Sequence, residues 1–305
     1  MAAHESGPQA VVLKQLAKPR RVPLWLEPYQ VLLRRKPLAT FGGVVVIVMI
    51  MAAIAADSIS PYSPVEMMLS QKLQPPSLAH WLGTDQFGRD LFSRILKGAQ
   101  ISLSIGMGVV LLGTVAATIW GCATGYFGGR FDALSQRLVD AVLSVPQLVL
   151  VLTIVSVIGP GILNIMLALA FRNAVGQTRT IRSAVISIKE NMYMDAARAI
   201  GCTNPHILLR YVLPNVMAPV IVVASISLGQ AILAESSLSF LGFGVPPPNP
   251  TWGGMLSEEG RRFMIQAPWM AFAPGIALSL TIFGINMLGD GLLDVLDPRL
   301  RGTQR

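Results

Sequence analysis

Cysteine and histidine are scarce in this chain, with two of the first (Cys122, Cys202) and three of the second (His4, His80, His206) among 305 residues. The thiols fall in or beside apolar segments and imply no disulfide framework. The histidines are scattered and the cysteines unclustered, so metal-ligand spacing is missing. No glycine-rich loop ending in Gly-Lys-Ser or Gly-Lys-Thr occurs, which excludes ATP binding of the usual kind by this chain. Serines are plentiful, yet none has a histidine and an acid at plausible depth to activate it, so an intramembrane hydrolase is unsupported. Charge is low as well: 13% of residues are charged against 52% apolar, too greasy for an ordinary soluble fold. The first thirty residues lack a continuous apolar core followed by a cleavage site, and no cleaved signal peptide is expected.

What is abundant is apolar sequence in runs. Residues 1–37 are polar and basic; Trp25, Leu26, Tyr29, Leu32 and Leu33 fit one face of an interfacial helix interrupted by Pro28, or a loosely ordered tail. Leu38–Ala56 is the first predicted span, its 19 residues rising about 28 Å, close to a hydrocarbon core. A polar loop with Pro61, Pro64, Pro75 and Pro76 follows to residue 98, then a second span at about Ile101–Ala123. Gly113, Ala117, Gly121 and Gly125 recur every fourth residue there, a stripe that admits another helix backbone at close range. A third span is expected over Leu138–Ile158, through Pro146, with Asp140 pairing locally with Arg137. A fourth starts at Ile162, but its apolar run lasts only to Phe171 before Arg172. The fifth is Val216–Leu238 with Pro219, and the sixth is Trp269–Leu288.

The formal net charge of +8 is distributed in a way that favours membrane orientation over nucleic-acid binding. With the N-terminus inside, the four inner segments hold seven, two, six and three basic residues, while the outer loops hold only Lys72, Arg89, Arg94, Lys97, Arg261 and Arg262. That bias places both termini in the cytoplasm.

A polar island, NMYMDAARAIGCTNPHILLRYVLPN, interrupts the apolar runs from residue 191. It predicts a short helix over Tyr193–Ile200 stopped by Gly201, then a second helical turn or two from Asn204 with Pro205 at its first position. Leu213-Pro214-Asn215 is expected to re-aim the chain into the next span. Asp195-Ala196-Ala197, Gly201 and, after a further eleven residues, Leu213-Pro214 resemble the E-A-A…G…I-x-L-P loop of ATP-binding-cassette importer permeases. Asp195 stands in for glutamate and Tyr211 for isoleucine. Gly83-Thr84-Asp85 with Gly88-Arg89-Asp90 and Ser93-Arg94 is similar to the outer loop of the C-type dipeptide/oligopeptide/nickel permeases. So are Leu238-Ser239-Phe240-Leu241-Gly242-Phe243-Gly244, the proline-rich turn before Trp252-Gly253, and Gly289-Asp290-Gly291…Asp294…Asp297-Pro298. An aromatic–proline region is usual in that family where this chain reads Phe171-Arg172-Asn173-Ala174-Val175-Gly176.

The resemblance implies an all-α membrane protein with six transmembrane helices, the type I importer permease fold, acting as a transporter subunit and not an enzyme. It divides the chain into a cytoplasmic tail (1–37), a first span with its extracytoplasmic loop (38–98), a permease core (99–290) carrying the coupling loop 190–215, and a cytoplasmic tail (291–305). Asp195, Ala196, Ala197, Arg198, Ala199, Gly201, Leu213 and Pro214 would meet a cytoplasmic ATPase. ATP and magnesium would be held by partner ATPase subunits and none by this chain. The other implied partners are a homologous permease subunit and an extracytoplasmic solute-binding protein, in the inner membrane of a prokaryote. Peptides are the first expectation for substrate, with nickel, glutathione or sugars as alternatives.

Other polar residues have two readings each. Glu235 fits a pathway or gate, or a structural hydrogen-bonding group; Arg172 fits an anionic substrate group, a partner subunit, or a side chain snorkelling inward. Asn286 fits the pathway or an interhelical hydrogen bond. Asp85, Arg89 and Trp252 fit a binding-protein contact, or the turn and capping chemistry of their own loop. A self-contained secondary transporter is the rival class, and would more often show inverted repeats or a chain of intramembrane acids.

Overall fold

The computed structural model describes residues 37–296, all helix and connecting segments. The expected interfacial face around Trp25 and the closing Asp297-Pro298 lie outside the described residues. Helix α1 is Pro37–Ile54, opened by a proline whose missing N–H costs nothing in a first turn, and a short α2, Ala56–Ile59, follows it. After a 3₁₀ turn at Leu69–Gln71 comes α3, Leu91–Phe127, the 37-residue axis of the molecule, about 55 Å long. The first of these helix ends departs from expectation: residues 91–98, read as loop, are the first turns of α3. Asp90 caps it by accepting from the Ser93 N–H at 2.8 Å, and Leu91, Ser93, Arg94, Leu96 and Gly98 are buried, so a polar-looking stretch is held helical by its neighbours.

The third predicted span is not one helix. α4, Gly129–Leu143, and α5, Gln147–Ile158, meet at 90° around Ser144-Val145-Pro146. Pro146 cannot donate to the carbonyl one turn back and its ring collides with that turn, so the chain corners there. The expected Arg137–Asp140 pair does not form either. Asp140 pairs with Arg179, and Asp132 binds Arg182 through Nε at 2.6 Å, both arginines lying on the next helix. α6, Ile162–Lys189, runs straight past Phe171, where the apolar sequence fades.

The polar island folds as α7, Met192–Ala199, then α8, Asn204–Ile207, a π turn at Leu208–Val212, and α9, Leu213–Phe240. Pro214 was expected to redirect the chain, but helix is continuous from Asn204 to Phe240. The wider π turn just before it relieves the clash that a proline ring meets in a regular α turn. Two short helices, α10 (Trp252–Leu256) and α11 (Glu258–Arg262), precede α12, Trp269–Leu296. α1, α3, the Asn204–Phe240 run and α12 are long and apolar enough to cross a membrane, and the bent α4–α5 pair makes a fifth candidate.

α3 packs most extensively on α6 and also meets α9 and α1, while α12 rests on α1 and α9. The small-residue stripe is the α3–α6 seam. A methyl group on Gly121 would sit 2.9 Å from Ile181 Cβ, and one on Gly125 would sit 2.8 Å from Val185 Cβ. Backbones that close leave room for hydrogen only.

Candidate functional site

At the end of the bundle where α3 finishes, α7 lies with one face inward. Met194 and Ala197 are buried, 0% and 3% exposed, in a cluster that also contains Cys122 and Tyr126 of α3, Ile181 and Val185 of α6, and Val212, Val216 and Val220 of the following run. The opposite face is open and apolar at both ends, with Met192 88% and Ile200 75% exposed. Asp195 and Arg198 form an ion pair at 3.0 Å on this open face. Gly201 ends the helix with φ +83°, and the Cys202 N–H reaches back to the Ala197 carbonyl at 3.1 Å, closing the turn in the way a left-handed cap requires.

Ala197 therefore does not belong with the residues free to meet a partner. Its methyl packs against this chain's own core, whereas Ala196 and Ala199 are exposed. Leu213 packs against the same core and Pro214 is exposed. Two polar contacts at the end of α3 tie it to α8 and to the end of α6. Tyr126 Oη donates to Asn204 Oδ1 at 2.8 Å, and Lys189 Nζ donates to the Tyr126 carbonyl at 2.8 Å. The Tyr126→Phe variant is expected to lose about 1 kcal/mol of local stability, seen as faster amide exchange in residues 203–207 with the global fold unchanged.

A cavity of about 280 Å³ opens farther along the bundle between α3, α5, α6 and α9. Arg172 lines it, together with Gln147, Asn173, Gln177, Ser227 and Gln230. Arg172, Asn173, Gly176 and Gln177 share one face of α6 because residues three and four apart lie above one another. Gln177 Nε2 donates to Ser227 Oγ on α9 at 2.8 Å. Asn173 and Gln177, one turn apart, are the sequence signal for this face, and Gln177 Nε2 donates to Asn173 Oδ1.

The two other intramembrane candidates are elsewhere. Glu235 is fully buried outside the cavity and accepts from Ser239 Oγ at 2.7 Å and from Ser236 Oγ at 3.4 Å, the structural of its two readings. Asn286 is exposed on α12, its Oδ1 2.7 Å from where a methyl on Gly229 would stand. It packs across a helix–helix contact and does not line the cavity.

At the other end, the loop candidates face inward. Asp85, Arg89 and Trp252 are 2%, 3% and 0% exposed, so none offers its side chain to another protein. Asp85 Oδ1 accepts from the Phe87 and Arg89 N–H groups at 2.9 Å, and its Oδ2 accepts from Arg89 Nε at 2.6 Å. His80 Nδ1 lies 2.9 Å from Asp90 Oδ1, fastening the loop to the cap of α3. Trp252 Nε1 donates to the Ile95 carbonyl at 3.2 Å over Gly98, where a side chain would strike the indole. Asp85 and Arg89 thus bind within their own turn, while Trp252 packs on the first turns of α3. Trp81 and Leu78, 59% and 98% exposed, are the surface of the same loop.

Comparison with known proteins shows the family of the chain. Residues 110–302 match the family described as binding-protein-dependent transport system inner membrane component. Residues 32–76 match the N-terminal transmembrane domain of oligopeptide transport permease C. A dipeptide transport system permease protein of Alkalihalophilus pseudofirmus is 40% identical over 91% of this chain and 90% of its own length. A probable D,D-dipeptide transport system permease protein of Escherichia coli is 37% identical over 90% of this chain and 91% of its own. A glutathione transport system permease protein of Escherichia coli is 39% identical over 88% of this chain and 89% of its own. The chain is a multi-pass integral membrane protein, a transport subunit and not an enzyme, and it belongs to the binding-protein-dependent transport system inner membrane components.

Proposed function

We propose that this chain is one half of a heteromeric importer permease for dipeptides and short oligopeptides, driven by ATP hydrolysis on partner subunits. In this reading α1, α3, the bent α4–α5 pair, α6, the Asn204–Phe240 run and α12 are six spans of a prokaryotic inner membrane, with both termini and α7 on the cytoplasmic side. The observation that carries it is the two-faced α7. A helix anchored inward by Met194 and outward-facing through Met192, Asp195, Ala196, Arg198, Ala199 and Ile200 is a rigid piece through which an ATPase moves α3, α6 and α9 together. Gly201, with no atom near the position of an added Cβ, provides the joint behind it. ATP and magnesium belong to the partner ATPases, and a homologous permease subunit completes the pathway. An extracytoplasmic binding protein meets the 57–90 loop through exposed residues such as Trp81 and Leu78, since Asp85, Arg89 and Trp252 face inward.

The peptide assignment is supported by the relatives named for dipeptide transport, and glutathione is the second reading because another relative at similar identity is named for it. The test is side-specific labelling of Ala196→Cys, in a Cys202→Ser background, with a membrane-impermeant thiol reagent. Labelling is expected only after the cells are permeabilised, and Ala199→Trp is expected to abolish recovery of ATPase subunits with the tagged chain. Labelling of position 196 in intact cells, or ATP-independent uptake, would sink the importer reading.

A further inference from the structure

In the six-span reading Arg172 carries a charge at mid-depth, and among the described residues it has no counter-ion. It is the eleventh residue of α6, about 15 Å along the helix from Ile162, halfway through a hydrocarbon core of about 30 Å. Nε is buried and no hydrogen bond or ion pair reaches the guanidinium, whereas Arg179 and Arg182 on the same helix pair with Asp140 and Asp132. A bare cation at this depth is costly, so a polar cavity has to shelter it. Apart from Arg172 itself, the cavity lining contains only neutral polar and apolar groups and no acid. Two more polar atoms beside Arg172 are also buried without partners: Asn173 Nδ2, a donor, and Gln177 Oε1, an acceptor.

We infer that Arg172 and Asn173 bind the free C-terminal carboxylate of the translocated peptide while it crosses this cavity. This inference rests on the importer reading. Two unsatisfied donor groups on adjacent residues suit a two-oxygen anion, and the guanidinium fork is the side chain best shaped for one. Gln177 Oε1 adds the acceptor that a peptide N–H next to that carboxylate needs. An acid of the partner permease would satisfy Arg172 too, but a permanent pair would leave the neighbouring amide donor and acceptor without a purpose. A passing peptide end uses all three.

The test is ATP-driven uptake of a dipeptide and of its C-terminal amide by the complete importer in liposomes, comparing wild type, Arg172→Gln, Arg172→Lys and Asn173→Asp. Because both ligand forms travel by the same binding protein, its own preference cancels in the comparison. Arg172→Gln is expected to lower dipeptide uptake about tenfold and leave amide uptake unchanged, with Arg172→Lys recovering part of the loss. Asn173→Asp, which supplies an internal counter-ion, is expected to lower dipeptide uptake without disturbing assembly. Equal effects on acid and amide, or no effect, overturn the inference while the importer reading stands. Dissociation of the permease pair in Arg172→Gln assigns the charge to a partner acid and overturns it as well. Absence of ATP-driven uptake by wild type removes the importer reading and this inference with it.

Discussion

Met194→Asp is expected to separate ATP hydrolysis from transport. The side chain is fully buried between α7 and the ends of α3, α6 and the π turn, and apart from Ala197 it is the whole of the buried face that α7 offers. A carboxylate placed there has no partner, and an uncompensated buried charge costs about 3–5 kcal/mol. α7 has eight residues, too few to hold its helix without tertiary contacts, so its docking on the bundle gives way. Uptake should fall by about a hundredfold or more, following that energy. None of the open-face side chains is changed, and a partner ATPase that holds them supplies the contacts the bundle no longer does, so ATPases should still be recovered with the chain and still hydrolyse ATP. Met194→Leu, of similar volume, should retain most transport. The measurement is the ratio of peptide taken up to ATP hydrolysed. A wild-type ratio in Met194→Asp would mean that force does not pass through this face.

The second large effect is expected from Gly121→Leu. Even a methyl group at this position would lie 2.9 Å from both Ile181 Cβ and Cγ2 and 3.1 Å from the Arg182 backbone nitrogen. The obstacles are next to the α6 backbone, so no rotamer change removes them, and the two longest-packed helices must part. Overpacking commonly costs about 1–3 kcal/mol, and a leucine on this seam should reach or exceed the upper figure. Gly43→Ala is the control, since its added carbon would meet only Leu288 Cδ1 at 3.5 Å, an ordinary contact. Thermal unfolding of the detergent-purified chain should show a large drop for Gly121→Leu and little change for Gly43→Ala. Equal midpoints would show that the α3–α6 seam has slack.

The long apolar runs were legible from residue order because a chain inside lipid must satisfy its own backbone, which leaves the helix as the available local form. Gly201 and Pro205 also announced themselves, since a left-handed cap and a donor-free first turn are local requirements. Pro146 and Pro214 look alike in sequence, yet one corners the chain and the other sits in unbroken helix. The difference is the π turn at Leu208–Val212, which forms where that segment packs under α3 and α6.

What the sequence by itself determined, then, is that the apolar runs are helical, that a polar island lies between them, and which small residues permit close packing. Which side of each helix faces a neighbour was decided only by the tertiary structure. Ala197 is buried while Ala196 beside it is open; Asp85 and Arg89 satisfy each other inside their loop; Asp140 finds Arg179 from another helix in place of Arg137 in its own. α6 continues past Arg172 because α3, α5 and α9 together enclose a polar cavity around it. The physical reason is common to all of these. Burial and charge pairing depend on groups brought together from distant parts of the chain, and the composition of a single segment does not contain them.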